Sequence, residues 1–162
     1  MSKRKPPVKQ QQRIELTISG QSHTGAGVGK YEGFTVFVDR AIPGETVAAT
    51  VTKVKPTYAS ARIEEIIHQS PDRVAPPCPI YDRCGGCQLQ HLSYEAQLRY
   101  KRQLVRDNLR RIGKLTDVTI HPTIGLDEPC RYRNKAQVPF GEREGGLIAG
   151  FYQKGTHRII DM

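Results

Sequence analysis

Three of the four cysteines fall within ten residues, in Cys78-Pro-Ile-Tyr-Asp-Arg-Cys84-Gly-Gly-Cys87, and the stretch runs on through Gln-Leu-Gln to His91. The pattern C-x5-C-G-G-C suits thiolates that curl toward one centre. Gly85 and Gly86 tolerate positive φ and let backbone N–H groups come close to the sulfurs. Pro76, Pro77 and Pro79 stiffen the approach to the loop. Three chemistries compete for these thiols. A disulfide framework needs an oxidising compartment, yet Met1-Ser-Lys-Arg-Lys-Pro-Pro has no apolar segment of the kind a signal peptide carries, so a reducing compartment is expected. Structural zinc suits clustered cysteines but usually takes two C-x2-C-like pairs, and one such pair is present here. An iron–sulfur cluster fits best, because clusters commonly combine a tight run of cysteines with one remote ligand.

The remaining cysteine, Cys130, lies in Glu128-Pro129-Cys130-Arg131-Tyr132, where nothing resembles a ligand loop. It reads as a small apolar residue. That directs the search for a fourth ligand beyond Met162.

The elements that must position this loop are mostly strands. Arg13 to about Ile67 is rich in β-branched residues: Ile14, Leu16 and Ile18 alternate with polar neighbours, Thr35–Val38 and Glu45–Lys55 follow, and Tyr58–Ile67 supplies a further strand. Glycines at 25, 27, 29 and 33, Pro43-Gly44 and Pro56-Thr57 mark the turns. Short strands without helical period predict a small closed barrel of OB type, a form whose face commonly binds nucleic acid. Gly25-Ala-Gly27-Val-Gly29-Lys30 invites a nucleotide-binding reading and fails it. A Walker loop needs glycine where Thr24 stands and Ser or Thr where Tyr31 stands, and the dinucleotide fingerprint needs glycine in place of Lys30. The stretch is expected to be a turn presenting His23 and Lys30 to a phosphate backbone.

After the proline-rich connector and the cysteine loop comes one clear helix. Ser93 is a good N-cap, Glu95 complements the positive end of the dipole, and Gly113 is placed to end the helix. Tyr94, Leu98, Val105, Leu109 and Ile112 are expected to pack inward, while Arg99, Arg102, Arg106 and Arg110 form a second stripe, either solvated or RNA-facing. Strands are expected at Val118–Ile120, Ala136–Phe140, Leu147–Tyr152 and His157–Ile160, with a hairpin turn over Glu142–Gly146. Arg131, Arg133, Asn134 and Lys135 around Tyr132 combine cations, an aromatic ring and an amide, the mix that grips phosphates and stacks on bases; a charge-protected edge strand is the plainer alternative.

Composition agrees with a polyanionic partner. The 162 residues carry 25 Lys and Arg against 16 Asp and Glu, a formal charge of +9. Hydrophobic residues make up 37%, and no apolar run is long enough to span a membrane. RNA is the expected partner, with no membrane and no obligate protein partner evident, and the expected location is cytoplasmic.

Two parts of the chain, each through several short runs, resemble known families. Gly25-Ala-Gly27-Val-Gly29-Lys30, Val36-Phe-Val38 and Ala41-Ile-Pro43-Gly44-Glu45 resemble a TRAM domain, the small RNA-binding β-barrel. Cys78 through His91, Tyr132-Arg133-Asn134-Lys135 and Phe151-Tyr-Gln-Lys-Gly155-Thr-His157-Arg158-Ile-Ile-Asp161 resemble the bacterial RNA (uracil-5-)-methyltransferases that modify 23S rRNA. That resemblance implies a 4Fe-4S cluster on Cys78, Cys84, Cys87 and a fourth cysteine soon after the position of Asp161, beyond Met162. It also implies a separate Rossmann-like domain holding S-adenosylmethionine and the catalytic residues, so no catalytic or S-adenosylmethionine-binding residue is assigned here. Radical methylthiotransferases also pair a TRAM domain with a cluster, but they use C-x3-C-x2-C and carry the barrel at the other end. A zinc- or cluster-containing RNA-binding protein without catalysis is the non-enzymatic alternative.

The expected fold is therefore mainly β with one helix. Residues 1–8 form a disordered basic arm, 9–67 an OB-like five-stranded barrel, 68–92 the connector and cysteine loop, and 93–162 the helix and strands of an α+β central domain truncated at Met162.

Overall fold

Arg13–Gln21 (β1) buries every second side chain: Ile14, Leu16 and Ile18 are 3%, 5% and 1% exposed, while their neighbours face outward. This is the period of a strand with one face in a core. The computed structural model describes residues 5–162, which divide into two units, one ending at Arg73 and one beginning at Val74.

In the first unit β1 is followed by Gly27–Tyr31 (β2), Phe34–Asp39 (β3), Thr46–Val54 (β4) and Tyr58–His68 (β5). They close into a barrel in the order β1-β2-β3-β5-β4. β1 returns to β4 through Arg13↔Thr50 to Thr17↔Thr46, and the β3–β5 pair is parallel, from Thr35↔Tyr58 to Asp39↔Arg62. Closure leaves no free sheet edge. The interior is narrow, so it is filled by Val36, Val38, Val47, Val51 and the small Ala41, Ala49, Ala59 and Ala61 around the isoleucines of β1.

The glycine-rich stretch differs from its expected role. Gly27, Gly29 and Lys30 lie within β2, and the turn sits earlier, where Ser22 N donates to Ala26 O at 2.8 Å and Gly25 N to Ser22 O at 2.9 Å. The reason is steric. A Cβ on Gly29 would stand 2.6 Å from Thr17 O, and one on Gly27 would stand 2.7 Å from Ala41 O. Both are inward positions where a neighbouring backbone passes too close for any side chain.

The arm expected over residues 1–8 lies partly outside the described residues. Its last residue, Val8, is 4% exposed and belongs to the barrel core. The chain just beyond it is tied to the barrel: Gln11 N donates to Val51 O at 2.8 Å, and Val51 N to Gln12 O at 2.9 Å.

The barrel's exit is held by an ion pair. Glu45, 0% exposed, receives two bonds from Arg73, one from Nε and one from a terminal nitrogen at 2.8 Å, and Ile42 N donates to its Oε2 at 3.0 Å. The same guanidinium donates to Arg40 O at 2.7 Å. Arg73 thereby clamps the loop between β3 and β4.

In the second unit the helix α1 spans Tyr94–Arg111. Ser93 caps it, its hydroxyl accepting from Ala96 N at 3.3 Å, and Gly113 N donates to Asn108 O just past the end. A hairpin pairs Phe140–Arg143 (β6) with Gly146–Ala149 (β7). Its turn residues, Glu144 and Gly145, have φ of 54° and 78°, the conformation that twists a two-residue loop with its strands. The strand expected at Val118–Ile120 does not form, and of the one expected at Ala136–Phe140 only the last residue is strand. These segments run without ladder partners, and the pairing expected over His157–Ile160 reduces to a single bridge, Tyr152↔Ile159.

The helix also packs less completely than its spacing implies. Ala96 is buried, and Tyr94, Leu98 and Leu109 are half-buried, but Val105 is 48% and Ile112 78% exposed. What covers α1 is the segment that follows it. Leu126 N donates to the Tyr94 hydroxyl at 2.8 Å, and Thr123 Oγ1 donates to Leu98 O at 3.0 Å. That segment lies over the first half of the helix. Among the described residues no helix is long and apolar enough to cross a membrane.

Candidate metal centre and nucleic-acid interface

The cysteine loop is built from tight turns. Tyr81 N donates to Cys78 O at 3.1 Å, and Cys84 N donates to Ile80 O at 2.9 Å, which brings the chain back on itself between the first two cysteines. Cys84 is buried, Cys78 half-buried, and Cys87 exposed. Gly86 N donates to Cys84 Sγ at 3.3 Å, the backbone-to-sulfur contact expected of this sequence.

The two glycines serve a different purpose from the one anticipated. Neither adopts positive φ. They are glycines because another strand of chain lies against them: a Cβ on Gly85 would sit 2.7 Å from Tyr152 O, and one on Gly86 would sit 3.0 Å from the Phe151 ring. Gly85 N donates to Tyr152 O at 2.9 Å, and Cys84 bridges Gln153. Residues 151–153 therefore form the floor under the loop.

A buried polar pair pins its other side. The Tyr81 hydroxyl and His91 Nδ1 are 2.6 Å apart, with Tyr81 3% and His91 2% exposed. Val74 N donates to His91 O at 3.1 Å. Sequence reasoning placed Tyr81 and His91 inside the motif without assigning them this work; a tyrosine and a histidine bracketing the thiols were the available signal.

The donor chemistry fits a thiolate-held metal group in part. Three cysteines share one loop, with a backbone N–H directed at the most buried sulfur. Yet the described residues bring together no group of three His, Cys, Asp or Glu side chains placed to hold a metal ion. Cys130 is exposed and adjoins Arg131, whose φ is 58°.

The expected RNA-facing residues fall into three groups. On the barrel, His23 is exposed in the β1–β2 turn and Lys30 is an outward residue of β2. In the second unit Arg131, Arg133, Asn134 and Lys135 form one continuous exposed stretch together with Tyr132, which is 65% exposed. The helical arginines divide. Arg99 is exposed. Arg106 reaches Gln103 Oε1 at 3.4 Å. Arg102 is half-buried and donates to Ile120 O through Nε at 3.0 Å and a terminal nitrogen at 2.7 Å, so it holds the following segment onto α1. Its fork is occupied by a carbonyl.

Comparison with known proteins bears on the barrel first. Residues 7–63 match the TRAM domain family model, and the five-stranded barrel is a TRAM domain. The whole chain is 59% identical over 162 residues to a Halalkalibacterium halodurans protein named as an uncharacterized RNA methyltransferase, covering 35% of it. Similarly named proteins of Listeria innocua and Clostridium tetani are 51% and 47% identical over 96% of this chain, which covers 34% of each. The chain thus spans about a third of the length of the curated relatives it matches. A solved structure, that of a conserved Methanococcus maripaludis protein, is 33% identical over 40% of this chain and all of its own, with a TM-score of 0.35.

Proposed function

We propose that this chain is the RNA-binding and cluster-holding part of an S-adenosylmethionine-dependent RNA (uracil-C5)-methyltransferase that acts on 23S rRNA. The observation that carries the reading is the similarity, along this whole chain, to about a third of the length of proteins named as RNA methyltransferases, joined to a TRAM family match at residues 7–63. The net charge of +9 and the exposed Arg131–Lys135 stretch support an RNA partner. Cys78, Cys84 and Cys87 would supply three ligands of a 4Fe-4S cluster, the fourth coming from outside these 162 residues. When bound, such a cluster would staple a loop-rich unit whose own core is small. No residue of this chain is given a bond-making role. Its part is to grip the RNA backbone through exposed cations and to hold the cysteine loop against residues 151–153.

The test has two arms. Deleting the gene should remove a 5-methyluridine from 23S rRNA, read by mass spectrometry of RNA digests; unchanged modification in the deletion strain sinks the substrate assignment. Anaerobic purification of the gene product should yield iron and sulfide in equal amounts, and Cys84→Ser should abolish both. A preparation containing zinc and no iron would replace the cluster with a zinc site.

A further inference from the structure

Beside the cysteine loop, Arg83, Arg143, Gln153, Arg158, Ile160 and Asp161 line a cavity of about 160 Å³. The geometry points to a phosphate-binding site here, taking a backbone phosphodiester of an RNA strand; this rests on the RNA-binding reading above. The three arginines of the lining come from three separate segments. Arg83 precedes Cys84, Arg143 ends β6, and Arg158 closes a turn in which Gln153 N donates to Arg158 O at 2.8 Å. Among the described residues none of the three forms an ion pair. Asp161 is the one carboxylate in the lining, and its Oδ1 accepts from Ala149 N at 3.1 Å. Arg143 donates to Ile159 O at 3.1 Å, which fixes one fork at the rim.

Like charges that line one small cavity repel one another, and an anion between them turns that repulsion into attraction. A phosphate fits best among anions, because its oxygens match the paired N–H groups of guanidinium and the Gln153 amide adds a neutral donor. Apart from that Arg143 bond, the frame is held by backbone bonds. Gly85 N donates to Tyr152 O at 2.9 Å, Ile160 N to Phe151 O at 2.9 Å, and Met162 N to Ala149 O at 3.1 Å. Arg83 and Arg158 are exposed and make no side-chain hydrogen bond within that frame, so they are free to serve a ligand.

The test uses the full gene product with two probes, inorganic phosphate and a single-stranded RNA dodecamer. Phosphate should shift the arginine Nε–H signals of Arg83, Arg143 and Arg158 saturably in NMR spectra. R83Q/R158Q should remove that response, while K55Q/R62Q, with equal charge loss on the barrel, should keep it. In RNA binding followed by anisotropy against salt, R83Q/R158Q should lower the log–log slope by about 0.7 for each phosphate that the variant no longer neutralises. Unshifted arginine signals, with RNA binding and its slope intact in R83Q/R158Q, overturn the site and leave the RNA reading standing. Phosphate binding without any change in the RNA slope overturns the RNA assignment in favour of a free phosphate. If the chain binds no RNA at all, the reading of the previous subsection fails, and with it the assignment of this cavity to RNA.

Discussion

Replacing Arg73 by methionine isolates the contribution of a buried charge pair to the barrel. Glu45 is 0% exposed, and its carboxylate keeps three bonds, two from Arg73 and one from Ile42 N. Arg73→Met removes two of the three together with the countercharge from a carboxylate that is 0% exposed. Orphaning a buried carboxylate in this way costs about 3–5 kcal/mol. Glu45→Gln is the gentler change. The Arg73 side chain is 16% exposed and can turn toward solvent, and a glutamine oxygen still accepts from Ile42 N. The order of the two variants is therefore fixed by burial: R73M loses more than E45Q. Native-state hydrogen exchange at the amides of Val47, Ala49 and Val51 in β4 reads the opening of the barrel directly. With each tenfold equal to about 1.4 kcal/mol, R73M should exchange roughly a hundred- to a few-thousand-fold faster. An acceleration below tenfold, or a larger effect from E45Q than from R73M, refutes the reasoning.

Three further outcomes follow from the packing. Gly29→Ala places a methyl 2.6 Å from Thr17 O and should destabilise the barrel by about 1–3 kcal/mol or more, seen as a lower thermal midpoint by circular dichroism. Tyr81→Phe takes the hydroxyl away from His91 Nδ1 in a buried site and should cost about 1–3 kcal/mol, read as faster alkylation of Cys84 as the loop opens. Ser93→Ala removes the acceptor for Ala96 N and should lower stability by about 1 kcal/mol, with faster exchange confined to the first turn of α1.

Much of the barrel was legible because its signals are local. The Ile14, Leu16, Ile18 alternation marks a half-buried strand wherever it sits, and Ser93 caps a helix through an atom three residues away. Glu144-Gly145 likewise carries its own turn geometry. In the cysteine loop the expected approach of a backbone N–H to a sulfur is made by Gly86 N at Cys84. What stayed hidden depends on partners distant in the chain. Gly27 and Gly29 read as part of a turn because glycine lowers strand propensity; only Thr17 O and Ala41 O, pressed against them by barrel closure, explain why nothing larger fits. Periodicity set Val105 and Ile112 on the apolar face of α1, but it does not say how far a covering segment reaches, and the 120–126 stretch covers the first half. Arg102 looks like its neighbours in sequence and is spent on Ile120 O, while Arg83, Arg143 and Arg158 look unrelated and meet around one cavity. Residue type and spacing determined which elements form and which chemistry is on offer; tertiary structure decided which cations remain available, because a guanidinium's partner is set by what folds against it.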